Sequence, residues 1–179
     1  MGNAGHPWTV PVAVEDIPDT GLHMEIEASP EIRAALGKLA DVRDIAQAFA
    51  VFDLVRVDGG IDVKGRVKAR VGQTCVVTLE PVENEVDEPI AVAFRPGAEF
   101  AELPAHSSQV LDEVEEPPEP LVGGKVDLGA LASEFLVLGI DPYPRKPGVE
   151  FTPPAPAEAG EHPFAELEAL KKRLSGGQS

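Results

Sequence analysis

The stretch that decides the fold covers residues 49–71 and reads FAVFDLVRV-DGG-IDVKGRVKARV. Apolar and polar side chains alternate on both sides of Asp58-Gly59-Gly60, as they do in strands that bury one face. An Asp-Gly step between two alternating runs is typical of a tight hairpin turn. The pattern therefore predicts an antiparallel hairpin with strands over residues 49–57 and 61–71.

The β pattern extends to both sides of this hairpin. We predict further strands at 8–14, 21–28, 74–79 and 90–94, with a turn at Gly72-Gln73 and an acidic connection at 81–89. Consecutive strands joined by short turns pair antiparallel. The expected sheet is a meander of about five or six strands, and a closed or half-closed barrel is the alternative architecture.

Two helices carry recognisable start signals. Ser29 is a typical N-cap before Pro30 and predicts a helix over residues 30–40. Asp127 is the expected cap of a second helix that runs to residue 140, and Pro142 ends it. The predicted core-facing residues are Ile32, Ala35, Leu36 and Leu39 in the first helix, and Leu128, Leu131, Ala132, Phe135, Val137 and Leu138 in the second. Both helices on one side of the sheet give an α+β fold.

The remaining segments are rich in acidic residues and proline. Residues 99–120 carry seven acidic and no basic side chains, and proline recurs along 142–160. We therefore predict a single domain with four parts. They are an N-terminal part with strands, helix and sheet (1–98), an acidic flexible loop (99–124), a helix on the same domain (125–141), and a proline-rich linker with a C-terminal amphipathic helix (142–179).

Charge and composition exclude several classes of protein. The formal net charge is −16, which repels polyanions at long range and disfavours sequence-independent binding of nucleic acid or anionic lipid. The N-terminus lacks the pattern of a secretory signal, and no apolar run approaches the roughly 20 residues of a membrane helix. We expect a cytoplasmic protein without membrane contact.

No motif indicates catalysis, a cofactor or a metal. The four histidines are far apart and have no partner at helical spacing, so we interpret them as surface or structural residues. A Gly-rich phosphate loop, a nucleophile elbow and a Cys-x-x-Cys pair are all missing from the sequence. Cys75 is predicted to be a small core residue on a strand, not a nucleophile. We expect a protein that is not an enzyme.

Four cations alternate along one predicted strand and share one face: Lys64, Arg66, Lys68 and Arg70. Arg56, across the hairpin, could extend the row. The favoured interpretation is a solvent face whose charges pair with carboxylates of neighbouring strands. The alternative is a local binding surface for RNA phosphates or for an acidic protein, which the acidic residues 99–120 could cover when no partner is bound.

The C-terminal part is the second candidate for binding. A helix that starts at Pro163 is too short to be stable alone, so it docks either on its own domain or on a partner. The candidate docking residues are Tyr143, Arg145 and Lys146 of the linker, with Phe164, Leu167 and Leu170 of the helix.

Three blocks of sequence resemble a known family. Residues 65–82 (GRVKARVGQTCVVTLEPV) are similar to the central signature of the YceD family, in its alphaproteobacterial form. Residues 126–148 resemble its acidic helix with a proline-rich end, and His162-Pro163-Phe164-Ala165 with Leu167 and Leu170 resembles its terminal segment. Many relatives have a second cysteine three residues after the first, where this chain has Thr78, and His162 stands in place of Asn.

The resemblance implies a bacterial factor in the accumulation of large-subunit ribosomal RNA, with a frequent genomic link to a ribosomal protein of that subunit. It implies no catalytic residue, and Thr78 argues against a thiol-based metal or redox role. We therefore expect a non-catalytic factor in ribosome biogenesis that acts mainly through a ribosome assembly protein or a large-subunit ribosomal protein. The alternative is direct binding of ribosomal RNA through the cationic strand face.

Overall fold

The computed structural model describes residues 6–57, 59–97 and 117–151, together with Leu167 and Lys171. The strands are β1 (Pro11–Ala13), β2 (Leu22–Glu27), β3 (Asp44–Val57), β4 (Gly60–Thr74), β5 (Pro81–Arg95), β6 (Glu119–Pro120) and β7 (Lys125–Asp127). The helices are α1 (Pro30–Leu39) and α2 (Leu128–Leu138). The chain divides into a first unit, residues 1–147, which holds all these elements, and a second unit, residues 148–179.

The main sheet has the strand order β2-β3-β4-β5-β6. Its first four strands pair antiparallel, and the short β6 lies parallel to the end of β5. Val57 pairs with Gly60, as the predicted hairpin requires, and Gly59 between them has a φ of +78° that suits glycine. A separate two-stranded sheet joins β1 to β7. The predicted α+β class is confirmed, with open sheets instead of the alternative barrel.

Alternation of side chains separates the two faces of the main sheet. On the inner face Phe52, Leu54, Ile61, Val63 and Val67 are all at most 1% exposed. They form one core with Trp8 and with apolar residues of both helices. Because α1 packs on β3 and α2 packs on β4 and β5, both helices cover this face.

Both helices begin where the cap residues predict. The Ser29 hydroxyl accepts a hydrogen bond from the backbone N–H of Ile32 at 3.3 Å. The Asp127 carboxylate accepts from the N–H groups of Gly129 and Ala130 at 3.1 Å, and also from that of Val10 at 2.8 Å. Asp127 therefore starts α2 and ties it to the N-terminal segment.

The ends of the predicted apolar stripes were wrong. Leu39 is 58% exposed and Leu138 is 80% exposed, although both were expected to face the core. In α2 the predicted Leu128, Leu131 and Ala132 are buried as expected, and the stripe ends at Leu136, which is fully buried, and not at Leu138. Each exposed leucine is the last residue of its helix, beyond the part that the sheet covers.

The predictions for residues 72–89 were wrong, whereas the predicted strand over 90–94 is part of β5. β4 continues through Gly72-Gln73 to Thr74, residues 75–80 form a turn instead of a strand, and 81–89 belongs to the long strand β5. Cys75 therefore lies in a turn, although it is buried as expected. Residues 81–89 were predicted to be a loop because they carry many carboxylates. The β4 residues that pair with this segment are distant in sequence, so the pairing left no local signal.

Part of the predicted acidic loop is ordered structure. Glu119 and Pro120 form β6, and Val122–Gly124 form a short 3-10 turn before β7. Residues 98–116 lie outside the described residues, and so does most of the predicted C-terminal helix, of which Leu167 and Lys171 are both helical. No helix in the described ranges is both long and apolar enough to cross a membrane.

Candidate partner-binding surfaces

The predicted cationic row lies on the outer face of the main sheet. Lys64, Arg66, Lys68 and Arg70 are all exposed, whereas the β4 residues between them are buried or half-buried. Because side chains alternate across a strand, the four cations share this face. The outer face is therefore the surface that the sequence predicted.

Carboxylates of β5 pair with three cations of the row. Arg66 Nη1 lies 2.6 Å from Asp87 Oδ1, Lys68 Nζ lies 3.1 Å from Asp87 Oδ2, and Arg70 Nη2 lies 3.9 Å from Glu85 Oε1. Hydrogen bonds from Arg66 and Lys68 hold the pKa of Asp87 below its ordinary value. Such ion pairs between neighbouring strands agree with the interpretation of the row as a solvent face.

The first cation of the row has a different environment. Lys64 faces Asp53 across the β3–β4 ladder, but Asp53 is hydrogen-bonded to Nδ1 of His23 at 2.8 Å. This contact raises the pKa of His23. Arg56 does not extend the row. Its guanidinium lies 2.5 Å from Asp19. Alternation along β3 also places Arg56 on the face opposite to Asp53, and Asp53 is on the same face as Lys64.

A second surface is built at the tip of the β4–β5 hairpin by the turn of residues 75–80. The Cys75 sulfur is fully buried and accepts hydrogen bonds from the N–H groups of Thr78 (3.5 Å) and Lys146 (3.4 Å). The N–H of Val76 donates to the carbonyl of Pro144 at 2.9 Å. These bonds attach the linker after α2 to the hairpin tip.

Hydrogen bonds also set the ionisation of this turn. The Thr78 hydroxyl, together with the N–H groups of Thr78 and Lys146, lowers the pKa of the Cys75 thiol to about 6, against the opposing effect of burial. The ammonium group of Lys146 lies 2.7 Å from Glu80 and lowers the pKa of that carboxyl. Lys146, a predicted docking residue, is thus partly engaged within its own domain.

Three apolar side chains project into solvent from this tip, and we call them the hairpin-tip patch: Val76 (45% exposed), Leu79 (76%) and Tyr143 (71%). Leu79 has a φ of +60°, in the left-handed region that leucine rarely adopts. Its N–H donates to the Cys75 carbonyl at 2.9 Å, which fixes this conformation. The neighbouring Arg145 is also exposed.

Of the predicted docking residues in the second unit, Leu167 is described and is 57% exposed. Phe164 and Leu170 lie outside the described residues. Their role in docking stays a prediction.

A third surface was missed by the sequence analysis. A cleft of about 360 Å³ lies between α1 and the start of β3, and Arg33, Lys38 and Arg43 line it with Asp44. The three cations follow one another at intervals of five residues; two belong to α1 and the third, Arg43, is the residue before β3. Such spacing forms no recognisable motif, so only the helix-to-strand packing could have revealed the cluster.

Metal binding has no support in the described ranges. Within them, no group of three His, Cys, Asp or Glu side chains is placed to hold a metal ion.

The fold and these surfaces define an α+β protein with an open, mostly antiparallel sheet. A comparison with family models matches residues 63–171 to the family described as large ribosomal RNA subunit accumulation protein YceD. The match covers more than half of the chain, and the chain belongs to the YceD family. No curated protein and no solved structure shows significant similarity to it.

Proposed function

We propose that this protein is a non-catalytic factor in large-subunit ribosomal RNA accumulation that acts in the bacterial cytoplasm, mainly through protein contacts. The family description supports the process. The hairpin-tip patch supports the mode of action, and its partner would be a ribosome assembly protein or a large-subunit ribosomal protein.

The observation that carries the proposal is the conformation and exposure of Leu79. A leucine in the left-handed region costs about 1 kcal/mol or more relative to glycine, and its side chain gains almost no burial here. Folding alone therefore gives no reason for leucine at this position. A partner that covers Leu79 together with Tyr143 would supply one, since exposed apolar clusters commonly mark protein interfaces.

The position of the patch suits a docking role. Hydrogen bonds from Val76 to Pro144 and from Lys146 to Cys75 hold the two chain segments together, so the patch is preformed. A preformed patch loses little conformational entropy on binding. Arg145 beside it could add a charge contact at the rim, where such contacts favour correct orientation more than affinity.

Substitution of Leu79 tests the proposal. Leu79→Gly should keep or slightly raise the thermal stability, because glycine adopts positive φ without strain. The same variant should capture at least tenfold less large-subunit ribosomal or assembly protein from RNase-treated lysate, because truncation of an anchor residue commonly costs more than about 1.4 kcal/mol of binding. Capture is measured by quantitative mass spectrometry with the full-length chain as bait.

A pair of asparagine variants provides the matched control. Leu79→Asn and Val122→Asn each replace an exposed apolar residue, but Val122 lies near the other end of β5, beyond β6. We expect loss of the partner with Leu79→Asn and normal capture with Val122→Asn. Equal capture by all variants would show that the hairpin-tip patch is not the docking surface.

Direct RNA binding through the outer-face cations is the second candidate. It is favoured by the common orientation of the four side chains and by Lys64, for which the described ranges contain no ion pair. The pairing of the other three with Asp87 and Glu85 reduces the positive field that RNA would meet. RNA binding and protein binding are distinguished by a variant with Gln at the four positions of the row: Lys64, Arg66, Lys68 and Arg70. If the row binds RNA, this variant should no longer capture ribosomal RNA precursors. Its capture of protein partners should be unchanged.

A further inference from the structure

We propose that the cleft between α1 and the start of β3 binds the phosphate backbone of single-stranded RNA. This inference does not depend on the hairpin-tip patch. Arg33 and Lys38 reach the cleft from α1, and Arg43 reaches it from the residue before β3. The cleft has a volume of about 360 Å³.

The charges in this cleft are not neutralised as they are elsewhere. The side chains of Lys38 and Arg43 make no hydrogen bond or ion pair to any residue in the described ranges, and Arg33 uses one guanidinium N–H on the carbonyl of Ala28 at 2.8 Å. Asp44 is the one carboxylate in the lining. It lies against the backbone of β4, since a Cβ built on Gly72 would be 2.5 Å from Asp44 Oδ2. Three cations thus share a cleft with a single carboxylate.

The net charge of −16 does not prevent such binding. Screening at physiological salt reduces interactions beyond roughly 8 Å, so distant carboxylates contribute little to the potential inside the cleft. At this range the lining of the cleft carries more cations than carboxylates. An anion that reaches the cleft therefore meets a locally positive site on a protein that repels polyanions elsewhere, which would limit non-specific binding.

The surroundings favour RNA over a single small anion. The Arg43 N–H donates to the carbonyl of Gly72 at 2.9 Å, which ties the residue before β3 to β4. Pro30 and Val42 give the cleft an apolar wall for ribose or base. The family description names ribosomal RNA, and we therefore favour RNA over an acidic polypeptide.

Fluorescence anisotropy with a labelled ten-nucleotide oligouridylate and the full-length chain tests this site. Lys38→Gln/Arg43→Gln should weaken binding at least tenfold at about 50 mM salt. It should also make the slope of log affinity against log salt shallower by about 1.4, because each lost phosphate contact on a single strand removes about 0.7. Neither side chain bonds to the described part of the fold, so the variant should unfold at the wild-type temperature.

Single variants provide the charge-matched control. Lys38→Gln and Lys125→Gln change the net charge equally, and Lys125 is an exposed cation outside the cleft. Weaker RNA binding by Lys38→Gln and wild-type binding by Lys125→Gln would support the site. Equal effects of the two variants, absence of RNA binding by the wild-type protein, or tighter binding of a labelled decaglutamate peptide than of the oligouridylate would each overturn it.

Discussion

Asp87 shows how a single residue decides the character of the outer face. Its two carboxylate oxygens bind different cations, Arg66 and Lys68, and so one acidic side chain forms ion pairs with two of the four cations in the row. The sequence predicted the orientation of the cations from alternation alone. It did not predict which carboxylate would lie opposite them, because that depends on the register between β4 and β5.

The pKa of Asp87 leads to a pH-dependent prediction. Because this pKa is lower in the folded protein than its ordinary value near 3.8, the ionised carboxylate stabilises the fold above that pH. The contribution is lost as the pH falls through the lower folded value. Asp87→Asn should therefore unfold at lower urea concentration than the wild type at pH 7, and the difference should shrink toward zero as the pH falls below the folded-state pKa of Asp87.

Glu85→Gln is the control for this measurement. Its contact with Arg70 is long, at 3.9 Å, so removal of its charge should change the urea midpoint less than Asp87→Asn does. An equal effect of the two variants at pH 7 would indicate that overall charge, and not the contacts of Asp87, sets the difference.

At the scale of elements, two helical glycines have opposite roles. A Cβ at Gly129 in α2 would lie 2.7 Å from backbone atoms of Trp8, whereas a Cβ at Gly37 in α1 would have nothing closer than 3.9 Å. Helix propensity favours alanine over glycine by about 1 kcal/mol at both positions. Gly129 is thus needed for the close packing of α2 on the N-terminal segment, and Gly37 has no such requirement.

We therefore expect opposite changes in stability from the same substitution. Gly37→Ala should raise the free energy of unfolding by up to about 1 kcal/mol. Gly129→Ala should lower it by about 1–3 kcal/mol, because relieving the overlap with Trp8 costs more than the gain in propensity. Urea denaturation followed by Trp8 fluorescence measures both. A stabilised Gly129→Ala variant would show that the N-terminal segment can move away from α2 at little cost.

The elements that sequence predicted well are those with local signals. Ser29 and Asp127 bond to N–H groups within their own helices, so the starts of α1 and α2 could be found without knowledge of the fold. The hairpin between β3 and β4 also has a local signal in its Asp-Gly step. The first part of β5 was missed because its acidic residues find their partners on β4, and the turn at Cys75 was missed because its bonds reach Pro144 and Lys146.

At the scale of the whole molecule, charge repulsion competes with ion pairing. The net charge is −16, while the ion pairs of the sheet are at the surface and individually weak. Added salt screens both the repulsion and the attraction, and the stronger of these two interactions decides whether stability rises or falls. We expect repulsion to dominate, so that the melting temperature at pH 7 rises by about 2–4 °C between 10 and 150 mM NaCl if screening recovers about 1 kcal/mol.

The same experiment near the isoelectric point is the control. At about pH 4.5 the net charge approaches zero, so repulsion no longer outweighs attraction and screening brings no net gain in stability. The melting temperature should stay constant or fall with salt under that condition. A decrease at pH 7 as well would mean that ion pairs such as Arg66–Asp87 contribute more to stability than the excess of negative charge removes.

Of the three candidate surfaces, only the one that lies within a single strand could be predicted from the sequence. Alternation along β4 is a pattern within one strand, so the outer-face row could be predicted. The cleft requires α1 to pack on β3 so that Arg33, Lys38 and Arg43 meet. The hairpin-tip patch requires the linker after α2 to return to the turn at Cys75. Neither arrangement is encoded in the spacing of neighbouring residues.

The parallel pairing of β6 with β5 has a practical consequence for engineering. Phe94 lies beside Glu119 and Arg95 beside Pro120, so the chain leaves the sheet and returns to it at nearly the same point. The entropy of closing a loop rises only slowly with loop length. A fluorescent reporter domain placed between Gly97 and Pro117 should therefore leave the core intact, at the end of the sheet opposite the cleft and the hairpin tip.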